Sequence, residues 1–255
     1  MKTGEEHEVS PKAPLALASS KPQWFPDNRS LLIHSRHGKL RKLDIRTGEY
    51  QPLPDSAETA AYDGASGNFY DPSVILAPDG RTIYYLARGP EAEMTRIMRR
   101  AVDGGAETEL CRESRAGIRD LSISQDGERL VFLRSLQESG ASRDKKLNWT
   151  WTVMTLPCSG GTPKEVYKSS EGIPWRSAMW SKDGRRLFFI QGILVRDLFT
   201  ISAEGEKPQP LGIGLHDLYF LNLHPDGKQI VFADEQWNNQ LWVLKNLFPN
   251  TKASR

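Results

Sequence analysis

The chain is poor in the residues that most catalytic and metal-binding chemistries require. Its 255 residues include five histidines and two cysteines. Cys111 and Cys158 lie far apart and match neither a metal-binding nor a redox spacing, which points to two free thiols on or beneath strands. The histidines are His7, His34, His37, His216 and His224. His34 and His37 fall near the end of one strand, where alternation sets them on opposite faces and makes a poor metal pair. No Gly-x-Ser-x-Gly elbow is present to carry a hydrolase serine. Gly104-Gly105 and Gly160-Gly161 lead into neither a helix nor a Lys-Ser/Thr pair, so they are not phosphate loops. No catalytic residue, no metal and no cofactor is therefore expected.

Charge of one sign is also scarce. The 34 basic residues face 32 acidic ones, a net charge of +2, too small and too dispersed for a nucleic-acid partner. No apolar run approaches the length that spans a bilayer, so no membrane insertion is expected. Residues 1–9 are charged and lack the apolar stretch of a signal peptide, which predicts a cytoplasmic chain as it stands; a targeting segment upstream in a longer protein would change that expectation. No convincing helical period runs longer than two turns. At 38% hydrophobic and 26% charged, the chain has the composition of a globular domain with a real core.

What is abundant is one phrase, met most fully as Trp180-Ser181-Lys182-Asp183-Gly184-Arg185-Arg186-Leu187-Phe188-Phe189-Ile190. It reads as strand, Asp-Gly turn, strand, with both central residues of a type I′ turn at positive φ. It recurs around Asp27, Asp79, Asp126 and Asp226, with Asn28 in the glycine place of the first copy. The turn aspartates are 52, 47, 57 and 43 residues apart, the spacing of propeller blades. The second strand of each copy is nearly all apolar, as in Leu130-Val131-Phe132-Leu133, and strands apolar on both faces belong inside a stack of sheets.

The expected fold is a single all-β domain, a β-propeller of about five four-stranded blades at 20–54, 68–112, 117–169, 174–213 and 215–248. The last repeat offers three strands, and the opening Thr3-Gly4-Glu5-Glu6 matches the exit of a blade, as in Thr47-Gly48-Glu49. Residues near 6–10 are thus expected to close the ring as the missing fourth strand. A six-bladed ring, or a truncated larger propeller, is the alternative. Trp24 and Trp180 hold equivalent repeat positions, otherwise Leu76, Ile123 and Leu223, and are both expected in the core.

These repeats, with their Thr-Gly-Glu and Gly-Gly turns, resemble the TolB-type propeller repeat, a relative of the WD-repeat. The ending Leu241-Trp242-Val243-Leu244-Lys245-Asn246-Leu247-Phe248-Pro249 is similar to the close of bacterial multidomain regulatory proteins that carry such a propeller at the C-terminus. That resemblance implies a sensor or protein-interaction module. Similar propellers also occur in pectin-fragment lyases and in prolyl-oligopeptidase-type enzymes.

The residues that open the inner strand of each blade mix charge with aromatics, as a binding face does. Counting back from each turn aspartate gives Asp71, Arg119, Trp175, Arg176, His216 and Asp217 as candidate binding residues. They come from four repeats, and the register sets them at one end of the ring. A solvated rim accounts for the same residues about as well. The expected function is non-catalytic binding of a protein or small-molecule ligand at that face. The alternative is the propeller of a polysaccharide- or peptide-processing enzyme.

Overall fold

The computed structural model describes residues 22–34, 39–54, 74–88, 94–114, 116–137, 149–169, 178–192, 197–213, 218–223, 229–234 and 240–245. Their regular structure is β throughout, and no helix occurs among the described residues. Five sheets follow one another along the chain. The first is β1 (Gln23–Trp24), β2 (Ser30–His34), β3 (Leu40–Asp44) and β4 (Tyr50–Pro52). The second is β5 (Val74–Leu76), β6 (Thr82–Arg88), β7 (Met94–Ala101) and β8 (Thr108–Ser114). The third is β9 (Ala116–Ile123), β10 (Arg129–Gln137), β11 (Trp149–Pro157) and β12 (Lys164–Ser169). The fourth is β13 (Ala178–Trp180), β14 (Arg186–Gln191), β15 (Asp197–Ser202) and β16 (Gln209–Pro210). The fifth has three strands among the described residues, β17 (Leu218–Leu223), β18 (Gln229–Asp234) and β19 (Gln240–Lys245). In every sheet the strands lie in chain order. The strand expected near residues 6–10 lies outside the described residues. The chain divides into two compact units, Met1–Arg88 with Ile97–Glu109, and Gly89–Arg96 with Leu110–Arg255.

The repeated turn differs from the type I′ form expected of an Asp-Gly pair. Asn28 and Asp120 are the only non-glycine residues at positive φ among the described residues, so Asp27, Asp79, Asp126 and Asp183 keep ordinary backbone angles. The amide of Gly184 instead bonds back to the Ser181 carbonyl at 3.0 Å, and only the glycine takes the left-handed region, at φ 66°. This is a type I turn followed by a left-handed residue. Asn28 does the same service at φ 51°. The aspartate acts through its side chain: Asp27, Asp79, Asp126 and Asp183 each accept the amide two residues on, at 2.8–3.0 Å. In the third and fourth sheets a buried serine locks the turn further. Ser124 and Ser181 donate to the aspartate at 2.5 and 2.6 Å and accept the amides of Arg129 and Arg186 at 3.0 and 2.9 Å.

These serine hydroxyls, with the amides of Glu128 and Arg185, hold the Asp126 and Asp183 carboxyls below the usual carboxylate range. A carboxyl whose pKa is lower folded than unfolded stabilises the fold above the unfolded value of about 3.9, and that contribution fades as pH falls through the folded value. Asp183→Asn is therefore expected to be less stable than wild type at neutral pH, with the difference narrowing below about pH 4. Urea midpoints measured from neutral pH downward read this directly; a constant difference at every pH would mean that the carboxylate charge is irrelevant.

Apolar seams hold the sheets together within each unit. In the first unit, Phe25, Leu32 and Leu40 of the first sheet pack with Leu76, Ile83 and Tyr85 of the second. In the second unit, Val131, Leu133 and Val153 of the third sheet pack with Trp180, Leu187 and Phe189 of the fourth. Met179, Phe188 and Ile190 on the opposite face of the fourth sheet meet Leu221 and Ile230 of the fifth. Glycines of the turns fit against the preceding sheet. A Cβ on Gly80 would meet Pro26 Cδ at 2.5 Å, and one on Gly184 would meet Arg129 Nη2 at 2.8 Å.

The expected pair of core tryptophans separates. Trp180 is 4% exposed, whereas Trp24 is 57% exposed. Both pair with the residue seven positions on, Leu187 and Leu31, so their places in the repeat are the same. The difference lies in what each face meets. Trp180 lies on the face turned to the third sheet. In the first sheet, the residues packed on the second sheet are Leu32 and Leu40, and Trp24 alternates away from them. Its neighbour Gln23 points to the second sheet, where its amide donates to the Val74 carbonyl at 2.6 Å and accepts the Leu76 N–H at 2.8 Å.

A buried arginine ties the end of the first sheet to the second. Arg100 is 4% exposed and donates to the carbonyls of Pro54 at 2.5 Å and Ala101 at 3.0 Å, with Glu107 at 3.9 Å.

Candidate binding site at the loop end

The pairing gives each of the first four sheets two unlike ends. One carries the tight turns between first and second strands and between third and fourth. The other receives the longer connections, where β9 begins, β10 ends and β11 begins: Ala116 pairs with Leu136, and Leu136 with Thr150. Among the described residues, the carboxyls held below their ordinary range all lie at the tight-turn end. Asp27 is lowered chiefly by the Arg29 amide, Asp44 by the Arg29 side chain, and Glu204 by Lys164, beside Asp126 and Asp183 above. Their partners are turn amides, hydroxyls and surface cations, which fits structural work better than acid–base work.

The loop end of the seam between the third and fourth sheets is different. Strand β9 has a bulge: Arg119 pairs with Leu133 and Ser122 with Val131, so Asp120 and Leu121 share the place opposite Phe132. Asp120 takes φ 53° within it. Just before the bulge, the Arg119 guanidinium lies 5.9 Å from the centre of the Trp151 ring. Beside it, Gly117 makes room for Ser135, because a Cβ there would come within 2.8 Å of Ser135 Oγ. Ser135, wholly inside, donates to the Gly117 carbonyl at 3.3 Å.

Deeper along the same seam runs a line of polar groups. Tyr167 donates its hydroxyl proton to Gln191 Oε1 at 3.1 Å, and Gln191 Nε2 donates to Ser169 Oγ at 3.1 Å. Gln191 and Ser169 are buried, and the Tyr167 ring meets Phe189 at a tilt, which in turn stacks on Phe199. Buried polar groups require partners, and here they find one another across two sheets. The far face of the third sheet carries a separate ion network, with Arg134 between Glu113 at 3.6 Å and Glu165 at 3.5 Å.

Of the six residues expected to bind, the structure places Arg119 in this seam. Asp71, Trp175, Arg176, His216 and Asp217 lie outside the described residues. Trp151, Tyr167, Ser169 and Gln191 were not anticipated. The alternating run Trp149–Met154 marks Trp151 as one face of a strand, but nothing local in sequence brings it beneath Arg119. Among the described residues, no group of three or more His, Cys, Asp or Glu side chains could hold a metal ion. No helix there is long and apolar enough to cross a membrane.

The chain matches no protein-family model. No curated protein matches it in sequence either. Solved structures do match in fold. A protein described as TolB from Agrobacterium tumefaciens superposes with a TM-score of 0.68 at 15% identity, over 91% of this chain and 78% of its own. A chain of the nidogen/laminin complex gives 0.62 at 13% identity, over 87% and 75%. An oligogalacturonate lyase in complex with manganese gives 0.60 at 16% identity, over 88% and 61%. At such identities the likeness shows the fold, a TolB-like β-propeller, and leaves the activity to the residues.

Proposed function

We propose that this chain is a non-catalytic binding propeller that takes a protein or small-molecule ligand at the loop end of its sheets, as the sensor or interaction module of a bacterial regulatory protein. The observation that carries this reading is the constellation at the mouth of one seam: a half-buried arginine over a tryptophan, above a line of buried hydrogen-bonded side chains. Arginine, tryptophan and tyrosine at the rim of a rigid scaffold are the composition of a recognition surface. Nothing there pairs a nucleophile with a base. The second reading, a propeller belonging to a carbohydrate-processing enzyme, draws on the likeness to the oligogalacturonate lyase.

The double variant Trp175→Ala, Arg176→Ala tests the first reading. Thermal shifts with a small-molecule panel, and cross-linked partners, are expected to be lost in the variant while its own melting curve stays as in wild type. Ligands retained in full would remove the loop end from binding. Metal-dependent cleavage of a sugar polymer by the purified chain would replace the first reading with the second.

A further inference from the structure

We infer that Asp103-Gly104, in the turn between β7 and β8, is a site of spontaneous backbone modification, where aspartate converts to isoaspartate through a cyclic imide. The Gly104 nitrogen attacks the carboxyl carbon of the Asp103 side chain. The amide proton and the carboxyl hydroxyl leave as water, and a five-membered imide remains. Water then opens the ring at either carbonyl. Opening at the former main-chain carbonyl routes the chain through the side-chain carbon, with no net change in mass. The reaction is favoured by a glycine after the aspartate, since no Cβ crowds the ring, and by a carboxyl free to turn toward the next nitrogen.

Four Asp-Gly pairs stand among the described residues, at Asp79, Asp103, Asp126 and Asp183, and all four aspartates are exposed. The attacking nitrogen does not separate them: each glycine amide bonds back to the carbonyl three residues before, at 2.9–3.1 Å. The carboxyls do. Asp79 accepts the amides of Arg81 at 2.8 Å and Thr82 at 3.3 Å. Asp126 and Asp183 each accept a serine hydroxyl and an amide. Such contacts hold a carboxyl away from the next nitrogen and favour its ionised form, which does not close the ring. Asp103 accepts no hydrogen bond and joins no ion pair among the described residues, and nothing crowds Gly105 beyond it. An isoaspartate there adds a methylene to the main chain beside the Arg100 anchor. Arg100 donates to the Ala101 carbonyl at 3.0 Å, and a Cβ on Gly104 would meet Pro54 Cβ at 3.1 Å, so the lengthened turn presses on the link between the first two sheets.

The experiment ages the whole chain under native, mildly acidic conditions in heavy-oxygen water and maps its peptides by a method that separates isoaspartyl from aspartyl forms. Each passage through the imide takes up one solvent oxygen, so the label marks the reacting residue. Isoaspartate is expected to form at Asp103 about tenfold or more faster than at Asp79, Asp126 and Asp183, because a hydrogen-bonded carboxylate must first be released. In urea the gap is expected to close. Asp63 and Asp226, which also precede glycine, lie outside the described residues and do not enter the comparison. Asp103→Glu, one carbon too long for the five-membered ring, is expected to abolish the modification at this turn. Ser181→Ala, which takes the hydroxyl from Asp183, is expected to raise isoaspartate at Asp183 and leave Asp103 as in wild type. Melting curves show that each variant is folded during ageing. Isoaspartate led by Asp79, Asp126 or Asp183 in the native chain would overturn the inference. So would an unlabelled Asp103, or a gap that persists in urea, which would trace the difference to sequence and not to the fold.

Discussion

Replacing Trp180 with alanine is expected to lower the unfolding free energy by roughly 3–5 kcal/mol, the range for removing a large aromatic from a packed core. The side chain is almost wholly inside the seam between the third and fourth sheets. Leu187 pairs directly with it and Ile201 lies next across the sheet, so the cavity left behind opens on rigid strands that collapse poorly. The Arg129 guanidinium is 4.5 Å from its ring centre and donates to the Gly184 carbonyl at 2.6 Å, which fastens the other side. The indole Nε1 has no hydrogen-bond partner, so little of the loss is a broken hydrogen bond and Trp180→Phe should recover much of it. Trp24→Ala is the internal comparison. At 57% exposure it should change stability by no more than about 0.5 kcal/mol. Denaturation midpoints of the two variants decide the matter: equal losses would show that the repeat position, and not the face it meets, governs burial.

Arg100→Met should be the second large loss, on the order of 3 kcal/mol, despite preserving length and apolar stem. The guanidinium serves the carbonyls of Pro54 and Ala101, with Val102 at 3.5 Å, and no aliphatic side chain can satisfy them. Glu107 would also lose its cation. Arg100→Lys should recover only part, since one ammonium cannot imitate a fork that reaches across two sheets. Hydrogen exchange supplies a local reading. The amides of Leu53 and Val102, bonded to Leu40 and Arg81, should exchange faster in the variant, while those of the third sheet keep their protection. An unchanged midpoint would mean that Arg100 merely fills space.

Much of the architecture was legible because its signals are local. An apolar run, an aspartate, a glycine and a second apolar run stand within a dozen residues, and each does its work on its immediate neighbours. Even so, residue type alone does not separate a backbone task for the aspartate from the amide binding that its carboxylate performs. Burial was less legible. Trp24 and Trp180 hold the same place in the repeat and the same register, and their fates depend on which face another sheet covers. Arg119 could be found by counting back from Asp126. Trp151 and Gln191 could not, because the approach of Arg119 to Trp151 depends on the β9–β11 register and that of Gln191 to Tyr167 on contact between two sheets.

The turn glycines have a consequence for how such a chain can diverge. Gly80 and Gly184 are fixed once by their backbone angle and again by Pro26 and Arg129 of the sheet before. Each repeat thus carries the imprint of its predecessor. A turn borrowed from elsewhere in the chain arrives without the proline or arginine that its glycine was shaped to receive. Duplication can lengthen an array of this kind, but afterwards the copies drift in adjoining pairs, and the order in which they stand becomes part of what is inherited.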